Sequence, residues 1–353
     1  MSIANLARPE IRDLEPYEAA VQVNDTIRLN ANEAPWTSSL DRFRRPLNRY
    51  PEIRPAGLRT TLAARYGCDA EQLLVTRGTS EAIDLLIRVF CRAGVDNILT
   101  TRPTFSMYRH YAEVQAAELR EVETSRDTGF AVDVDRILDT CDDNTRLIFV
   151  CSPNNPTGTP LSESELINLL ERRGNRSAVV VDEAYIEFAE QRSAVELLRR
   201  YDNLVVLRTL SKALAFAGAR CGSVIGPRDV IRMLNAVQAP YALATPVVEC
   251  VENALRAESL EEAEAGIAKI VRERERLIGE LERLSLVRRI WPSAANFFLV
   301  ELEDADALMA QSGKDKVLLR RFGGDLADCV RITVGTPEEN DRLLRTFATV
   351  EGP

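Results

Sequence analysis

Histidine and lysine are scarce in this chain of 353 residues. His110 is the single histidine, and four lysines stand against 41 arginines. A Ser-His-Asp triad, a histidine-rich zinc site or an HExxH helix needs imidazoles that the sequence does not contain. We therefore predict no metal site, and we expect the chemistry to rest on other side chains.

Long apolar runs and paired cysteines are also lacking. No stretch approaches the roughly 18 apolar residues of a membrane span, and the N-terminal segment shows no apolar core of a signal peptide. The seven cysteines are scattered without a CxxC pair, which is typical of reduced thiols in the cytoplasm. The net charge of −9 argues against nucleic acid as a partner. We expect a cytoplasmic protein that binds neither membranes nor nucleic acids.

Short apolar runs alternate with helical patterns through the middle of the chain. LIFVC (147–151) and AVVVD (178–182) are apolar almost throughout, as in strands covered on both faces. The alternation predicts βαβ units, and so an α/β fold with a mainly parallel central sheet flanked by helices. The predicted strands are 72–76, 97–101, 146–151, 177–182, 203–208 and 219–226, and the predicted helices are 80–91, 105–115, 163–173 and 194–200. In such sheets ligands bind at the carboxyl ends of the strands.

The pattern changes beyond about residue 245. Residues 246–284 read as one or two long charged helices, and strands at 296–302, 317–320 and 330–334 with a last helix at 338–350 are predicted to follow. We predict a large domain at 41–245. A smaller α+β domain is predicted from residues 1–40, with an N-terminal arm, and 246–353.

Two polar motifs follow predicted strands. In RGTSE (77–81), Gly78 permits a tight backbone, and the free N–H groups of the next helix could hold a phosphate-sized anion, as those of many capped helices could. SPNNPTG (152–158) follows LIFVC directly. Its prolines and glycine stiffen the loop, and Asn155 projects an amide at the sheet edge. An ordinary Asn-Pro turn would show part of this second pattern.

An acid and a lysine follow two further strands. Asp182 closes AVVVD, where a carboxylate is costly unless it meets a cation, although it could also cap the next segment. Lys212 lies in LSKALAFAGARCG (210–222), which is mostly apolar or small, so its pKa should be depressed and its amine neutral. A Schiff-base lysine, a buried acid, a phosphate cup and an amide are together what pyridoxal 5′-phosphate (PLP) requires of a protein.

Nine segments carry a family resemblance in the family's order over about residues 15–348. They are LNANEAP (29–35), RYPE (49–52), RGTSEAIDLLIR (77–88), CSPNNPTG (151–158), VDEAYIEF (181–188), LRTLSKA (207–213), AGARCG (217–222), APYALATP (239–246) and RITVGT (331–336). On these motifs the sequence resembles the fold-type I PLP-dependent aminotransferases and, among them, the histidinol-phosphate aminotransferase family. PNNPTG alone indicates only the broad superfamily, whereas DEAYIEF, LRTLSKA and RITVGT together are specific.

The resemblance implies which residues hold PLP. Lys212 would form the Schiff base and then move a proton between the substrate Cα and the cofactor C4′. Asp182 would pair with the pyridinium nitrogen, and Tyr185 is the third catalytic residue. The implied further contacts are Asn155 beside Tyr185 at the ring 3′-oxygen; Gly78, Thr79, Ser80, Ser211 and Arg220 at the phosphate; Phe105 stacked on the ring; and Tyr50, which reaches the phosphate of the other subunit's cofactor.

The resemblance also implies a substrate site and a reaction. The substrate residues would be Arg331, Arg320, Tyr17, Asn32 in the LNANE loop and Tyr241 from across a homodimer with shared active sites. A guanidinium fork suits both the phosphate of histidinol phosphate and the carboxylates of glutamate. The implied enzyme converts L-histidinol phosphate and 2-oxoglutarate to and from imidazole acetol phosphate and L-glutamate, in L-histidine biosynthesis.

Two positions depart from the family pattern. Thr79 and Ser80 follow Arg77-Gly78 where the family usually has an acid, and Phe105 stands where a tyrosine is usual. A hydroxyl can still bind phosphate and a phenyl ring can still stack. We therefore expect the chemistry to be kept.

Other functions stay open at this point. An aminotransferase for aromatic or other amino acids, or a threonine-phosphate decarboxylase, would share nearly every cofactor contact. A nicotinamide oxidoreductase would show GxGxxG after its first strand, and the sequence has none there. A PLP-binding transcription regulator would need an added helix-turn-helix domain, for which we expect no room.

Overall fold

The computed structural model of the chain describes residues 2–17, 22 and 27–351. Within these residues lie a seven-stranded and a four-stranded sheet. The strands are β1 (Leu73–Thr76), β2 (Asn97–Arg102), β3 (Glu118–Glu123), β4 (Thr145–Cys151), β5 (Ala178–Asp182), β6 (Leu204–Thr209), β7 (Gly222–Ile225), β8 (Val287–Ile290), β9 (Phe297–Leu302), β10 (Arg320–Arg321) and β11 (Cys329–Thr333).

Helices connect and cover these strands. The α-helices are α1 (Pro9–Arg12), α2 (Ala56–Tyr66), α3 (Gly78–Phe90), α4 (Met107–Gln115), α5 (Val134–Thr140), α6 (Glu163–Arg173), α7 (Arg228–Val237), α8 (Thr245–Ala254), α9 (Ala257–Leu281), α10 (Ala305–Lys314) and α11 (Pro337–Glu351). Short 3₁₀ turns occur at Ile3–Leu6, Ala70–Gln72, Gly174–Arg176, Ile186–Phe188, Ala194–Arg199, Ala217–Ala219 and Gly324–Leu326. No helix in the described part of the chain is long and apolar enough to cross a membrane.

The large sheet has the strand order β1-β7-β6-β5-β4-β2-β3. The neighbours from β6 through β5, β4 and β2 to β3 are parallel, and β7 runs antiparallel to both β6 and β1. The central strands β4, β5 and β6 are buried almost throughout because helices cover both faces of the sheet. Because β1 through β6 run in the same direction, all six end at the same edge of the sheet.

The small sheet is antiparallel in the order β10-β11-β9-β8. Its core, which includes Phe298, Val300 and Ile332, is closed by α10, α11 and the last turns of α9. Ile3 and Ala7 of the N-terminal segment are buried instead in the apolar cluster around the large sheet. The division of the chain into domains at residues 41 and 246 stays a prediction.

The predicted α/β class with a mainly parallel sheet is confirmed. The strands predicted between residues 72 and 226 correspond to β1, β2, β4, β5, β6 and β7, with their bounds shifted by three residues or fewer. The strand predicted at 317–320 was wrong for most of its length, because β10 contains two residues and Leu318 is 96% exposed. The helix predicted at 194–200 is a 3₁₀ turn.

Seven elements had no counterpart in the sequence prediction. They are α1, α2, β3, α5, α7, β8 and α10. In β3 the sequence ELREVE lies at the sheet edge with a single buried residue, so its charged side chains hide the strand signal. The other six contain 11 residues or fewer.

Gly222 links the sheet to the loop after β1, and we predict that Gly222→Ala destabilises the protein. A Cβ at Gly222 would lie 2.9 Å from the Arg208 carbonyl oxygen and from two backbone atoms of Gly78, which cannot swing aside. The expected loss is about 1–3 kcal/mol of unfolding free energy, measured as a lower urea midpoint.

Gly279→Ala in α9 is the control for this substitution. No atom lies within 4 Å of its added Cβ. In a helix interior the change should be neutral or stabilise by up to about 1 kcal/mol. Equal midpoints for the two variants would contradict the packing argument.

Candidate active site

The loops that follow β1, β2, β4, β5 and β6 meet at one edge of the large sheet. Register pairs Cys151 at the end of β4 with Asp182 at the end of β5, and it pairs Thr209 of β6 with Gly222 of β7. The loops lead directly into the sequence motifs at residues 77–81, 152–158 and 210–222. They enclose a solvent-open cleft of about 570 Å³, lined by Thr79, Ser80, Phe105, Cys151, Asp182, Ala184, Tyr185, Thr209, Ser211, Lys212, Ala217 and Arg220.

Asp182 is a buried acid on the floor of this cleft. Its side chain is almost wholly buried, and its Oδ2 accepts a hydrogen bond of 2.9 Å from the hydroxyl of Tyr108. Its Oδ1 accepts a longer bond, 3.2 Å, from the N–H of Ala184. Burial raises the pKa of Asp182 to about 6, although both hydrogen bonds and the charge of Lys212 act to lower it. The carboxylate is therefore poised to gain from a cation that enters the cleft.

Lys212 reaches the cleft from the loop after β6. Its neighbours Leu210, Ala213 and Leu214 are buried, while its own side chain stays accessible from the cleft. Partial desolvation lowers the pKa of Lys212, and the positive charges of Arg331 and Arg220 lower it further. The depressed pKa expected from the sequence is thus supported, and the arginines add a cause that the local sequence did not reveal.

Asn155 stands between a tyrosine and an arginine. Its amide Nδ2 donates to the Tyr185 hydroxyl at 3.2 Å, and its Oδ1 accepts a 2.5 Å bond from Nη1 of Arg331. The Tyr185 ring lies edge-on to Phe297 of β9, at 5.0 Å between ring centroids. Because Arg331 belongs to β11, this chain of contacts connects the two sheets across the cleft.

A cup for an anion forms where β1 ends and α3 begins. Gly78 opens α3 with a left-handed φ of 76°, and a Cβ there would lie 2.7 Å from Nη2 of Arg220. The guanidinium therefore packs directly against the helix N-terminus. Ser211 joins the same wall, with its N–H and hydroxyl bonded to Oγ1 of Thr209 at 3.1 and 2.9 Å. Helix N–H groups, a guanidinium and hydroxyls form a site suited to phosphate.

Two arginines that were predicted to bind substrate face each other across strands. Arg320 of β10 and Arg331 of β11 are directly paired in register. Like charges at such a position are unfavourable unless an anion offsets them. The Nε of Arg331 is buried and has no hydrogen-bond partner among the described residues. This pair is therefore a second candidate anion site, next to Asn155.

The remaining predicted residues form a separate aromatic cluster. The rings of Tyr50 and Tyr241 stack with their centroids 4.8 Å apart. Burial raises the pKa of Tyr241, and the nearby Tyr17 raises it further. Asn32 is exposed and has a left-handed φ of 54°. Among the described residues, none of these four lines the Lys212 cleft of the same chain.

Two functional candidates were missed in the sequence. Tyr108 donates to Asp182, and no motif in the sequence singles it out. Glu33, whose side chain is 2% exposed, holds Arg28 and Arg49 at 2.5 and 2.8 Å and accepts the N–H of Tyr50 at 2.9 Å. The acid in LNANE could have suggested this role, since it is the only carboxylate of that motif. His110 lies exposed on α4, away from these contacts.

Comparison with known proteins identifies the family of this chain. A family model described as aminotransferase class I and II matches residues 25–347. A histidinol-phosphate aminotransferase from Xylella fastidiosa (strain 9a5c) is 42% identical, over 99% of this chain and 97% of the relative. Another from Xanthomonas euvesicatoria pv. vesicatoria is 43% identical, over 97% of this chain and 96% of its own length.

Solved structures show the same fold. The histidinol-phosphate aminotransferase from Sinorhizobium meliloti, crystallised in complex with pyridoxal-5′-phosphate, superposes with a TM-score of 0.79. The two sequences are 21% identical, and the match covers 86% of this chain and 83% of the other. At that identity the comparison establishes the architecture, and the closer sequence relatives establish the family.

The fold and the family match define the class, so the chain is a fold-type I PLP-dependent aminotransferase. The histidinol-phosphate aminotransferases are over 40% identical to the chain along nearly its whole length, which identifies the family within this class. The chain belongs to the histidinol-phosphate aminotransferase family.

The residues of the cleft fit PLP. The cup at Gly78 and Arg220 suits the cofactor phosphate, and a side chain at Gly78 would fill it. The buried carboxylate of Asp182 has no ion pair among the described residues, which fits a protonated ring nitrogen. Lys212, with its lowered pKa, supplies an amine for the cofactor aldehyde.

The first test of this fit is the visible absorbance of the purified protein. We predict that the wild type with PLP is yellow at neutral pH and that Lys212→Ala removes the Schiff-base band entirely. An ordinary lysine is protonated at that pH, whereas the lowered pKa of Lys212 favours the reactive neutral amine. Lys269→Ala, at an exposed position of α9, is the matched control and should keep the band. A yellow Lys212→Ala protein would contradict the assignment.

Proposed function

We propose that Lys212 and Asp182 carry out amino transfer from L-histidinol phosphate to 2-oxoglutarate and the reverse. The family membership establishes an aminotransferase of histidine biosynthesis. The observation that supports the residue assignment is that a lysine of lowered pKa and a fully buried carboxylate line one cleft. The two groups supply complementary roles, one as a base and one as a fixed negative charge.

Lys212 is proposed to move the reacting proton. Bound PLP supplies an electron-withdrawing ring that makes the substrate Cα–H acidic. The Lys212 amine lies in a cleft whose desolvation and arginine charges favour its neutral form. A neutral amine can take the proton from Cα and return it at the cofactor's C4′. Lys212 thus acts as general base and general acid in turn.

Asp182, Tyr185 and Asn155 are proposed to orient the ring. Asp182 would hold a proton on the ring nitrogen by pairing with it, which also offsets the cost of its own burial. Tyr185 and Asn155, joined at 3.2 Å, would donate to the 3′-oxygen. Phe105 forms part of the cleft wall, where a phenyl ring can stack on the pyridine.

The phosphate of the cofactor is assigned to the cup at the start of α3. Backbone N–H groups at Gly78, Thr79 and Ser80 fall in the first turn of a 13-residue helix. Arg220 and Ser211 supply a charge and a hydroxyl beside them. The neutral Thr79 and Ser80 add no negative charge near the phosphate, so this departure from the family pattern is compatible with binding.

Arg331 and Arg320 are proposed as the anion site for the substrates. The buried Nε of Arg331 and the like-charge pairing of the two arginines both support an anionic ligand. Histidinol phosphate and glutamate present a phosphate or a carboxylate, which a guanidinium binds through two parallel hydrogen bonds. Arg331 also donates a hydrogen bond to Asn155. Substrate binding to Arg331 would therefore affect the position of Asn155 at the cofactor ring.

A homodimer with shared active sites is proposed to complete the site. Most exposed large apolar side chains in the described residues lie between Leu14 and Tyr50, including Ile27, Trp36 and Leu40 at 90, 72 and 82% exposure. A surface of this kind is typical of an interface. Tyr17, Asn32 and Tyr50 lie on this part of the chain, and Tyr241 stacks on Tyr50. These four residues would enter the partner's cleft.

The proposed location is the cytoplasm. All seven cysteines are free thiols, which is typical of a reducing compartment. Neither a nucleic-acid nor a membrane partner is proposed.

A half-reaction panel tests the substrate assignment. Histidinol phosphate, phenylalanine, threonine phosphate and glutamate are mixed separately with the yellow enzyme, and the loss of the Schiff-base band is timed. We expect histidinol phosphate to react fastest. If phenylalanine is faster, the substrate assignment fails while the roles of Lys212 and Asp182 survive.

Arg331→Ala should separate substrate binding from cofactor binding. Loss of a charge-assisted bidentate contact should lower the affinity for histidinol phosphate by about 10- to 100-fold. The affinity for PLP should change much less. The dependence of the half-reaction rate on histidinol phosphate concentration gives the affinity for the substrate, and a PLP titration gives the affinity for the cofactor. Arg321→Ala, which removes a neighbouring arginine paired with Asp306, is the matched control. Equal losses for both ligands would count against a substrate role.

Shared sites predict complementation between two defective variants. In a mixed dimer of Lys212→Ala and Tyr50→Ala chains, one site combines an intact Lys212 with an intact Tyr50 from the partner. With differently tagged chains and limiting PLP, the purified mixed dimer should recover about half of the wild-type activity. If Tyr50 served the cleft of its own chain, the mixed dimer would have no intact site and would stay as inactive as its parents.

A further inference from the structure

Tyr108 is a buried polar group to which neither the family resemblance nor the proposed mechanism gives a role. It lies on α4 with no exposed surface, and its ring stacks on Phe149 of β4 at 4.9 Å between centroids. Its ring is nearly perpendicular to that of Phe105, the proposed stacking residue, with the two centroids 5.8 Å apart. Its hydroxyl donates a 2.9 Å hydrogen bond to Oδ2 of Asp182. One side chain thus contacts both groups that hold the cofactor ring.

We propose that Tyr108 is a positioning residue that keeps the proton shared by Asp182 and the cofactor's ring nitrogen on the nitrogen. The inference rests on the proposed role of Asp182 and deepens it. A hydrogen bond to a carboxylate stabilises its charged form and so lowers its affinity for a proton. Without that donor, Asp182 would compete more strongly for the shared proton, and the ring would lose its positive charge.

Few groups other than Tyr108 stabilise the negative charge of Asp182. The other titratable groups that face the carboxylate are Lys212, Cys151 and Tyr185. Burial raises the pKa of Cys151 and Tyr185, so both are uncharged at neutral pH, and Lys212 is itself biased towards its neutral amine. Apart from Tyr108, the Asp182 side chain receives one further hydrogen bond within the described chain, the 3.2 Å bond from Ala184.

Tyr108 is also suited to act as a permanent donor. Burial and the adjacent Asp182 charge raise its pKa well above the ordinary value, so the hydroxyl keeps its proton throughout the working pH range. Because the side chain is fully buried, water cannot readily take its place. The packing of the ring between Phe149 and Phe105 fixes the direction of the bond. Tyr108 therefore influences the proton without exchanging one.

The test measures directly whether the ring nitrogen of the cofactor is protonated. Wild-type and Tyr108→Phe proteins are loaded with PLP labelled with ¹⁵N at the ring nitrogen, and the ¹⁵N chemical shift of the holoenzyme is followed against pH. We expect the wild type to show a protonated ring nitrogen. The variant, which keeps the ring and loses only the hydroxyl, should shift towards the unprotonated value at the same pH. Its kcat should fall by about tenfold, with KM for histidinol phosphate little changed.

Three comparisons make the result specific. Tyr111→Phe, on the same helix, should leave the ¹⁵N shift unchanged. Tyr108→Met, which removes the hydroxyl with a different shape, should move the shift in the same direction as Tyr108→Phe. In an Asp182→Asn background, Tyr108→Phe should add no further change, because its effect passes through the carboxylate.

The outcomes separate this inference from the function on which it rests. If folded Tyr108→Phe and Tyr108→Met proteins keep the wild-type ¹⁵N shift, the role of Tyr108 is overturned and that of Asp182 stands. An additional shift in the Asp182→Asn background would overturn it as well. A wild-type protein that takes up no PLP would instead overturn the proposed function itself.

Discussion

The burial of one carboxylate constrains much of this structure. Asp182 ends a strand covered on both faces, and no arginine or lysine forms an ion pair with it among the described residues. A buried, unpaired acid costs several kcal/mol unless it is neutralised or meets a cation. Two hydrogen bonds, from Tyr108 and Ala184, reduce this cost without removing it. The missing positive charge is what a protonated cofactor ring would bring.

The topology of the large sheet places the other groups around that acid. Because β1, β2, β4, β5 and β6 end at one edge, loops distant in sequence supply the anion cup, the aromatic wall, the amide and the lysine. The antiparallel strand β7 contacts the anion cup through Gly222, which packs against the backbone of Gly78 at the start of the cup. The small sheet then adds Arg331, whose bond to Asn155 connects the proposed substrate site to the cofactor site.

The sequence predicted the buried strands well, for local reasons. Apolar runs such as those of β4 and β5 have few alternatives to a covered strand. Lys212 stood out because its neighbours are apolar or small, and its lowered pKa agrees with that environment. The charged edge strand β3 was missed, since its composition resembles that of a solvated helix or loop.

Contacts between distant segments could not be predicted in the same way. Tyr108 and Asp182 are 74 residues apart, and Asn155 and Arg331 are 176 apart, so no spacing rule connects them. The role of Glu33 depends on two arginines and a backbone N–H that meet only in the folded chain. The grouping of Tyr17, Tyr50 and Tyr241 away from the Lys212 cleft likewise required the structure, and it is this separation that a second subunit would resolve.

The most direct measurement of the central claim is a map of the cofactor attachment point. The PLP-loaded protein is reduced with borohydride, digested, and its peptides are identified by mass spectrometry. Because the chain contains four lysines, the labelled peptide can be assigned to one part of the sequence. The account predicts one pyridoxyl group per chain, on the peptide that contains Lys212. A pyridoxyl group on Lys269, Lys314 or Lys316 in place of Lys212, or on no lysine, would contradict it.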